Sequence, residues 1–114
     1  NLGNLKDTIM LNQSLKYLQM AADINEKINN LIGLAETQSN IANIYAVKAD
    51  EIRKAIKKNG KGDKQTKLEK IKNDYFTKAI QYNEKSAQNR ETANDIVGLA
   101  GSYVGLAAIY VNQE

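Results

Sequence analysis

Leu11, Leu15, Leu18 and Ala22 recur at steps of four, three and four, the spacing that lays side chains along one face of a helix. Tyr103, Leu106, Ala107 and Tyr110 form a similar stripe near the end of the chain. Two more stripes lie between them: Ala46, Ala49, Ile52 and Ile56, then Leu68, Ile71 and Tyr75. Polar breaks separate the stripes. Asn29-Asn30 and Asn94-Asp95 supply residues that favour caps and turns, and Asn59-Gly60-Lys61-Gly62-Asp63 sets two glycines in a polar stretch. The pattern predicts helices near 8–28, 32–58, 64–93 and 96–112, with residues 1–6 either the tail of an earlier helix or part of the first.

Composition sharpens this to an all-α fold. No proline occurs, and 7 glycines with 6 Tyr and 1 Phe leave little turn punctuation and little strand-forming material. A hydrophobic share of 42% beside 25% charged residues fits a folded chain rather than a disordered one. The lack of Cys removes disulfides, thiol nucleophiles and cysteine metal sites. The lack of His removes the commonest general base and the commonest transition-metal ligand. No run approaches the roughly 18 apolar residues of a membrane span, so no transmembrane segment is expected. With no initiator Met and no leader at its start, the chain is expected to begin inside something longer.

The chain also resembles itself. At an offset of 65, Leu15-Lys16-Tyr17 meets Ile80-Gln81-Tyr82, Gly33-Leu34-Ala35 meets Gly98-Leu99-Ala100, and Ile41-Ala42-Asn43-Ile44-Tyr45 meets Leu106-Ala107-Ala108-Ile109-Tyr110. Ala22, Glu26 and Asn29 keep the same register with Ala87, Glu91 and Asn94. A shorter match at an offset of 39 joins Asn1-Leu2-Gly3-Asn4-Leu5 to Asn40-Ile41-Ala42-Asn43-Ile44. Such register is the mark of a repeat architecture.

These residues resemble the tetratricopeptide repeat, in the variant with roughly 40 residues per helix pair. Asn1-Leu2-Gly3-Asn4, Asn40-Ile41-Ala42-Asn43-Ile44-Tyr45 and Tyr103 to Tyr110 look like first helices of pairs. Leu11 to Tyr17 and Phe76 to Tyr82 look like second helices. Gly3, Ala42, Ala107, Ser14 and Ala79 would let neighbouring helices approach, while Leu2, Ile41, Leu106, Tyr45 and Tyr110 would fill the seam between stacked pairs. The resemblance implies antiparallel helix-hairpin repeats: a first repeat over 1–30, a second over 31–95, and the first helix of a third over 96–114. Lys6 departs from the usual Tyr, and no closing Pro is present. Lys6 to Leu11 is 5 residues but Tyr45 to Phe76 is 31, and the extra 26 predict an elongated hairpin around 46–75. About 12 extra residues per arm would project it by roughly 18 Å.

Charge separates that hairpin from the rest. Between Arg53 and Lys72, nine basic side chains face only Asp63 and Glu69, a net +7 that leaves −4 on the remainder of a +3 chain. Arg53, Lys54, Lys57, Lys58, Lys61, Lys64 and Lys67 are candidates for an anionic contact, or simply keep an exposed hairpin soluble. No aromatic is interleaved between residues 46 and 74, which disfavours nucleic acid. The resemblance further implies a concave groove that binds a protein or peptide, at Asn4, Glu36, Ser39, Asn40, Asn43, Val47, Val104 and Ala108. Amides such as Asn43 could bond an extended peptide, or could cap and solvate the helix. One subtype of that family clamps carboxylates with paired Lys and Asn; Ser39 and Val104 stand where its lysines would be, so that subtype is not expected.

Carboxylate neighbours such as Asp23 with Glu26 read as surface charge on amphipathic helices, and no catalytic, cofactor or metal site is expected. The expectation is a non-catalytic interaction scaffold, with the flavour of repeats that precede output domains in bacterial signalling proteins. The alternative is self-association as a homodimer, through the basic hairpin or through a free solenoid end at Leu106, Ile109, Tyr110 and Val111.

Overall fold

The structure is a computed structural model that describes the backbone of residues 2–59 and 62–113 and the side chains of 8–58, 62 and 66–113. Among these are four α-helices and no strand: α1 (Leu2–Lys27), α2 (Leu31–Asn59), α3 (Asp63–Thr92) and α4 (Ile96–Gln113). Apart from the start of α1, the helices begin and end within one residue of the positions that the hydrophobic pattern predicts.

Residues 1–6 were open to two assignments, and the backbone from Leu2 belongs to the first helix. Lys6-Asp7-Thr8-Ile9-Met10 holds no Gly or Pro, so nothing breaks the helix where the family resemblance puts the turn of a first pair. The segment expected as a first repeat is therefore one long helix.

Two of the connections have the same construction. Asn29 and Asn94 adopt the left-handed conformation, with φ of 59° and 58°. In the first turn the Asn30 N–H donates to the Asn25 carbonyl at 2.8 Å and the Asn29 N–H to that of Glu26 at 3.1 Å. In the second, Asp95 donates to Arg90 at 2.8 Å and Asn94 to Glu91 at 3.0 Å. This crossed pair satisfies the last carbonyls of the outgoing helix. Asn30 and Asp95 then cap the incoming helix, their Oδ1 atoms accepting from the Gly33 and Gly98 N–H groups at 3.1 and 3.0 Å. One short segment thus ends a helix and starts the next.

The helices pack antiparallel to their chain neighbours. Ser39 meets Ser86 while Tyr45 meets both Tyr75 and Tyr82, so α2 and α3 run in opposite directions along most of their length. Asn25 with Thr37 and Asn12 with Lys48 align α1 on α2 in the same way, and Arg90 with Ser102 sets α4 on α3. The core is built on Ile41, Tyr45, Ala49, Phe76, Ala79 and Ile109, with Leu15, Leu18 and Ala22 of α1 packed against it. Burying these side chains contributes about 1.5–3 kcal/mol for each large one.

α2 and α3 are 29 and 30 residues long, which at about 1.5 Å per residue nearly spans the 47 Å long axis of the molecule. The stripe expected on α3 through Ile71 shifts by one position. Ile71 is exposed, and the stem of Lys72 takes the inner place while its ammonium reaches Glu69 at 2.8 Å. The hairpin is also not free on every side. Because α1 is unbroken, it runs back along α2, bringing Thr8 and Leu11 beside Ile52 and Tyr75.

Candidate functional site

Antiparallel packing of α1 on α2 leaves a groove along one side of their contact. Two adjoining concavities of about 570 and about 500 Å³ lie in it and share Ser14. Tyr17, Leu18, Asn40, Asn43 and Ile44 line the first; Met10, Leu11, Val47, Glu51 and Ile52 line the second. The geometry follows from two helical stripes: Met10, Ser14 and Tyr17 on α1 face Asn40, Asn43 and Val47 on α2.

The structure brings together three of the expected groove residues, Asn40, Asn43 and Val47. Glu36 is exposed one turn earlier on the same helix. Ser39 points the other way, its hydroxyl 2.8 Å from that of Ser86. Val104 and Ala108 are exposed on α4 and line neither concavity. The Asn4 side chain lies outside the described residues. Met10 and Tyr17 were not expected in the groove. Their signal was a seven-residue spacing, Met10, Tyr17, Ile24, of apolar side chains off the core-facing stripe.

A polar belt holds the start of α2, the end of α3 and the start of α4 together. Ser86, fully buried, donates to the Ala35 carbonyl at 2.7 Å and lies 3.4 Å from Ser102. Asn89 Nδ2 donates to Gln38 Oε1 at 2.8 Å. Arg90 Nη1 donates to the Gly98 carbonyl at 2.7 Å and to Ser102 Oγ at 2.9 Å. The counterpart positions in the first turn repeat this on a smaller scale, with Asn25 bonded to Thr37 and Thr37 to the Gly33 carbonyl.

Beside Tyr45 an aromatic and lysine ladder runs along α2 and α3. Tyr45 stacks near Tyr82 (5.8 Å between ring centres) and Tyr75 (6.0 Å), with Lys78 over its own ring. Burial, then the neighbouring Tyr82 and Tyr75, push the Tyr45 hydroxyl above its ordinary pKa. Lys48 lies over the Tyr75 ring and beside Asn12, and burial followed by Lys78 pulls its pKa down.

The basic hairpin is partly spoken for. Arg53 pairs with Asp50 and donates to the Asn112 carbonyl at 2.9 Å, and Lys54 sits 3.4 Å from Asp50. Lys57, Lys58 and Lys67 are exposed; Lys61 and the Lys64 side chain lie outside the described residues. Among the described residues no group of three or more carboxylates gathers where a metal ion could sit.

α4 carries no charged residue from Ile96 to Gln113 and exposes Val97, Val104, Val111, Tyr103 and Tyr110. Ser102 and Ile109 face inward, so of the expected free end Ile109 is buried, Leu106 is half-buried, and Tyr110 and Val111 stay open. With 18 residues and a mean hydropathy of 1.3, α4 is by length and composition long and apolar enough to cross a membrane. The sequence reading missed this because Gly, Ser and Asn interrupt the apolar run. The Arg90 bonds to Gly98 and Ser102 tie the first half of α4 to α3, and of its described side chains Ser102 and Ile109 are buried. Compared with known proteins, the chain matches no family model, no curated protein and no solved structure.

Proposed function

We propose that this chain is a non-catalytic interaction scaffold, a tetratricopeptide-like stack of helix pairs within a larger signalling or regulatory protein, which receives a protein or peptide in the α1/α2 groove. The observation that carries the reading is the groove itself. Met10, Leu11, Val47 and Ile52 line one concavity, and Asn40 and Asn43 stand beside Tyr17, Leu18 and Ile44 in the adjoining one, the mixture by which recognition sites combine desolvation with a few orienting hydrogen bonds. The two turns of equal construction, 65 residues apart, support the repeat. On α2 and α3, Asp50 pairs with Arg53 and Lys54, Glu51 with Lys54 and Glu69 with Lys72, and no carboxylate is given a catalytic role.

Selection of a random peptide library on the immobilised chain tests this. Selected peptides should perturb the backbone amides of Ser14, Tyr17, Asn43 and Val47 in NMR spectra. They should bind the doubly substituted Asn40→Ala, Asn43→Ala protein roughly tenfold more weakly, about 1.4 kcal/mol. Peptides that map to the basic hairpin would place recognition there and overturn the groove reading.

A further inference from the structure

The internal register says what shape the groove lacks. Shifted by 65 positions, its lining residues Ser14, Leu18, Asn40 and Ile44 become Ala79, Asn83, Gly105 and Ile109, on α3 and α4. There Ala79, Asn83 and Ile109 are buried, at 0%, 3% and 5% exposure, while Gly105 is half-buried and Ala108, the counterpart of Asn43, stays exposed. Ala79 and Ile109 are closed by α2, whose Ile41, Tyr45 and Ala49 share one cluster with them and Phe76, while Asn83 lies against Gly105 of α4. The α1/α2 groove is therefore the counterpart of a cleft that, one register further along, holds a helix.

The required helix is one that resembles α2, and by the same register that helix is α4. Tyr45 of α2 stacks on Tyr82 of α3, and Gln38 bonds Asn89. The counterparts of Tyr45 and Gln38 are Tyr110 and Tyr103 on α4; those of Tyr82 and Asn89 are Tyr17 and Ile24 on α1. All four are open, at 55%, 57%, 66% and 59% exposure. In the second contact an amide pair has become an aromatic and an isoleucine on both sides at once, so the two faces changed polarity together.

We propose that the α1/α2 groove of one copy receives α4 of a second copy, Tyr17 against Tyr110 and Ile24 against Tyr103, as α3 receives α2 within the chain. This rests on the groove as a protein-binding site and on the helix-pair repeat proposed above. The two faces are different surfaces at opposite ends of the helix stack, so the contact is head-to-tail and leaves a free face at each end for further copies. A charge-free α4 suits a groove whose walls are Met10, Leu11, Val47 and Ile52, with Glu51 the one charged side chain among the lining residues described above. Ile96, Tyr103 and Tyr110 recur at seven-residue spacing on α4 beside Val97, Val104 and Val111, and all six are more than half exposed, an apolar face with no cover in the single chain.

Sedimentation velocity from low micromolar to several hundred micromolar protein tests it, with circular dichroism to show that each variant stays folded. The weight-average mass of the unaltered chain should climb with concentration beyond that of a dimer. Tyr17→Glu and Tyr110→Glu should each run as a monomer, since each blocks one face and both residues are exposed. An equimolar mixture of the two variants should give a 1:1 dimer that grows no further, because only one pair of intact faces remains. A chain that is monomeric throughout overturns the proposal, as does a Tyr17→Glu variant that still dimerises, which would point to α4 pairing with itself. Peptides that still select the groove of a monomeric chain overturn the second-copy occupant and leave the interaction scaffold standing.

Discussion

Asn29 and Asn94 hold the same left-handed backbone, φ 59° and 58°, at positions 65 residues apart. Each ends one helix while the residue after it caps the next. Asn tolerates this conformation because its short polar side chain can bond locally, whereas a plain Cβ meets the following carbonyl. Asn29→Ala and Asn94→Ala should each cost about 1–2 kcal/mol. Asn→Gly at either place should be neutral to slightly stabilising. Urea unfolding midpoints measure both, and equal stability of the Ala and Gly variants would show that the conformation carries no strain.

Gly98 and Asp95 should behave as one unit. A Cβ on Gly98 would land against the Asp95 carboxylate that caps α4 and 3.0 Å from Arg90 Cδ. Gly98→Ala should therefore displace the cap and cost about 1 kcal/mol, as should Asp95→Ala. In a double-mutant cycle the two losses should not add, because both remove the same hydrogen bond. Additive losses would locate the effect of the extra methyl elsewhere.

Ser86 is fully buried, with Ser39, Ser102 and the Ala35 carbonyl within reach of one hydroxyl. Ser86→Ala should cost about 1–1.5 kcal/mol through the lost bonds. Ser86→Val should cost more, since it adds volume at a three-helix junction and still leaves Ser39 unpaired. Chemical denaturation of both variants checks the order.

Tyr45 gives the fold a sensitivity to alkali. Its hydroxyl titrates above the ordinary value of 10.0 in the folded chain, so beyond about pH 10 the unfolded state loses its proton first and stability falls as pH rises. Lys48, with its pKa pulled below 10.5, acts in the opposite sense and regains stability as it deprotonates. Tyr45→Phe should therefore hold its unfolding midpoint to higher pH than the unaltered chain, while Lys48→Met should lose it sooner. Thermal melts between about pH 8 and 11 test the pair. Identical alkaline curves for Tyr45→Phe and the parent would falsify the assignment.

The hairpin can be shortened only from its tip. The Ser39–Ser86 and Tyr45–Tyr75 contacts fix the antiparallel register, which carried to the tip sets residues 57 and 66 level, so joining Ile56 to Lys67 through a short glycine turn keeps the remaining arms in register. That variant should melt cooperatively near the parent temperature. Deleting 49–72 instead removes Ala49, fully buried in the core cluster, with Ile52 and the inward stem of Lys72. It should lose cooperativity, and calorimetry of both distinguishes the cases.

The sequence by itself determined the helices and their breaks, because helical periodicity and turn chemistry are local properties written in neighbouring residues. Asn29-Asn30 and Asn94-Asp95 announce their turns at close range. The groove positions Asn40, Asn43 and Val47 came from the family resemblance, and they share one face of α2 whatever packs beside them. The opposite wall was decided only by tertiary structure. Whether Lys6 to Leu11 turns or continues depends on the balance of α1 against its neighbours, and as a continuous helix it carries Met10 and Tyr17 to the groove and covers one side of the hairpin. Whether Ser39 faces solvent or Ser86, and whether Ile71 or Lys72 turns inward, are differences of one position around a helix. Periodicity leaves such choices open, and the packing of α2 and α4 on α3 settles them.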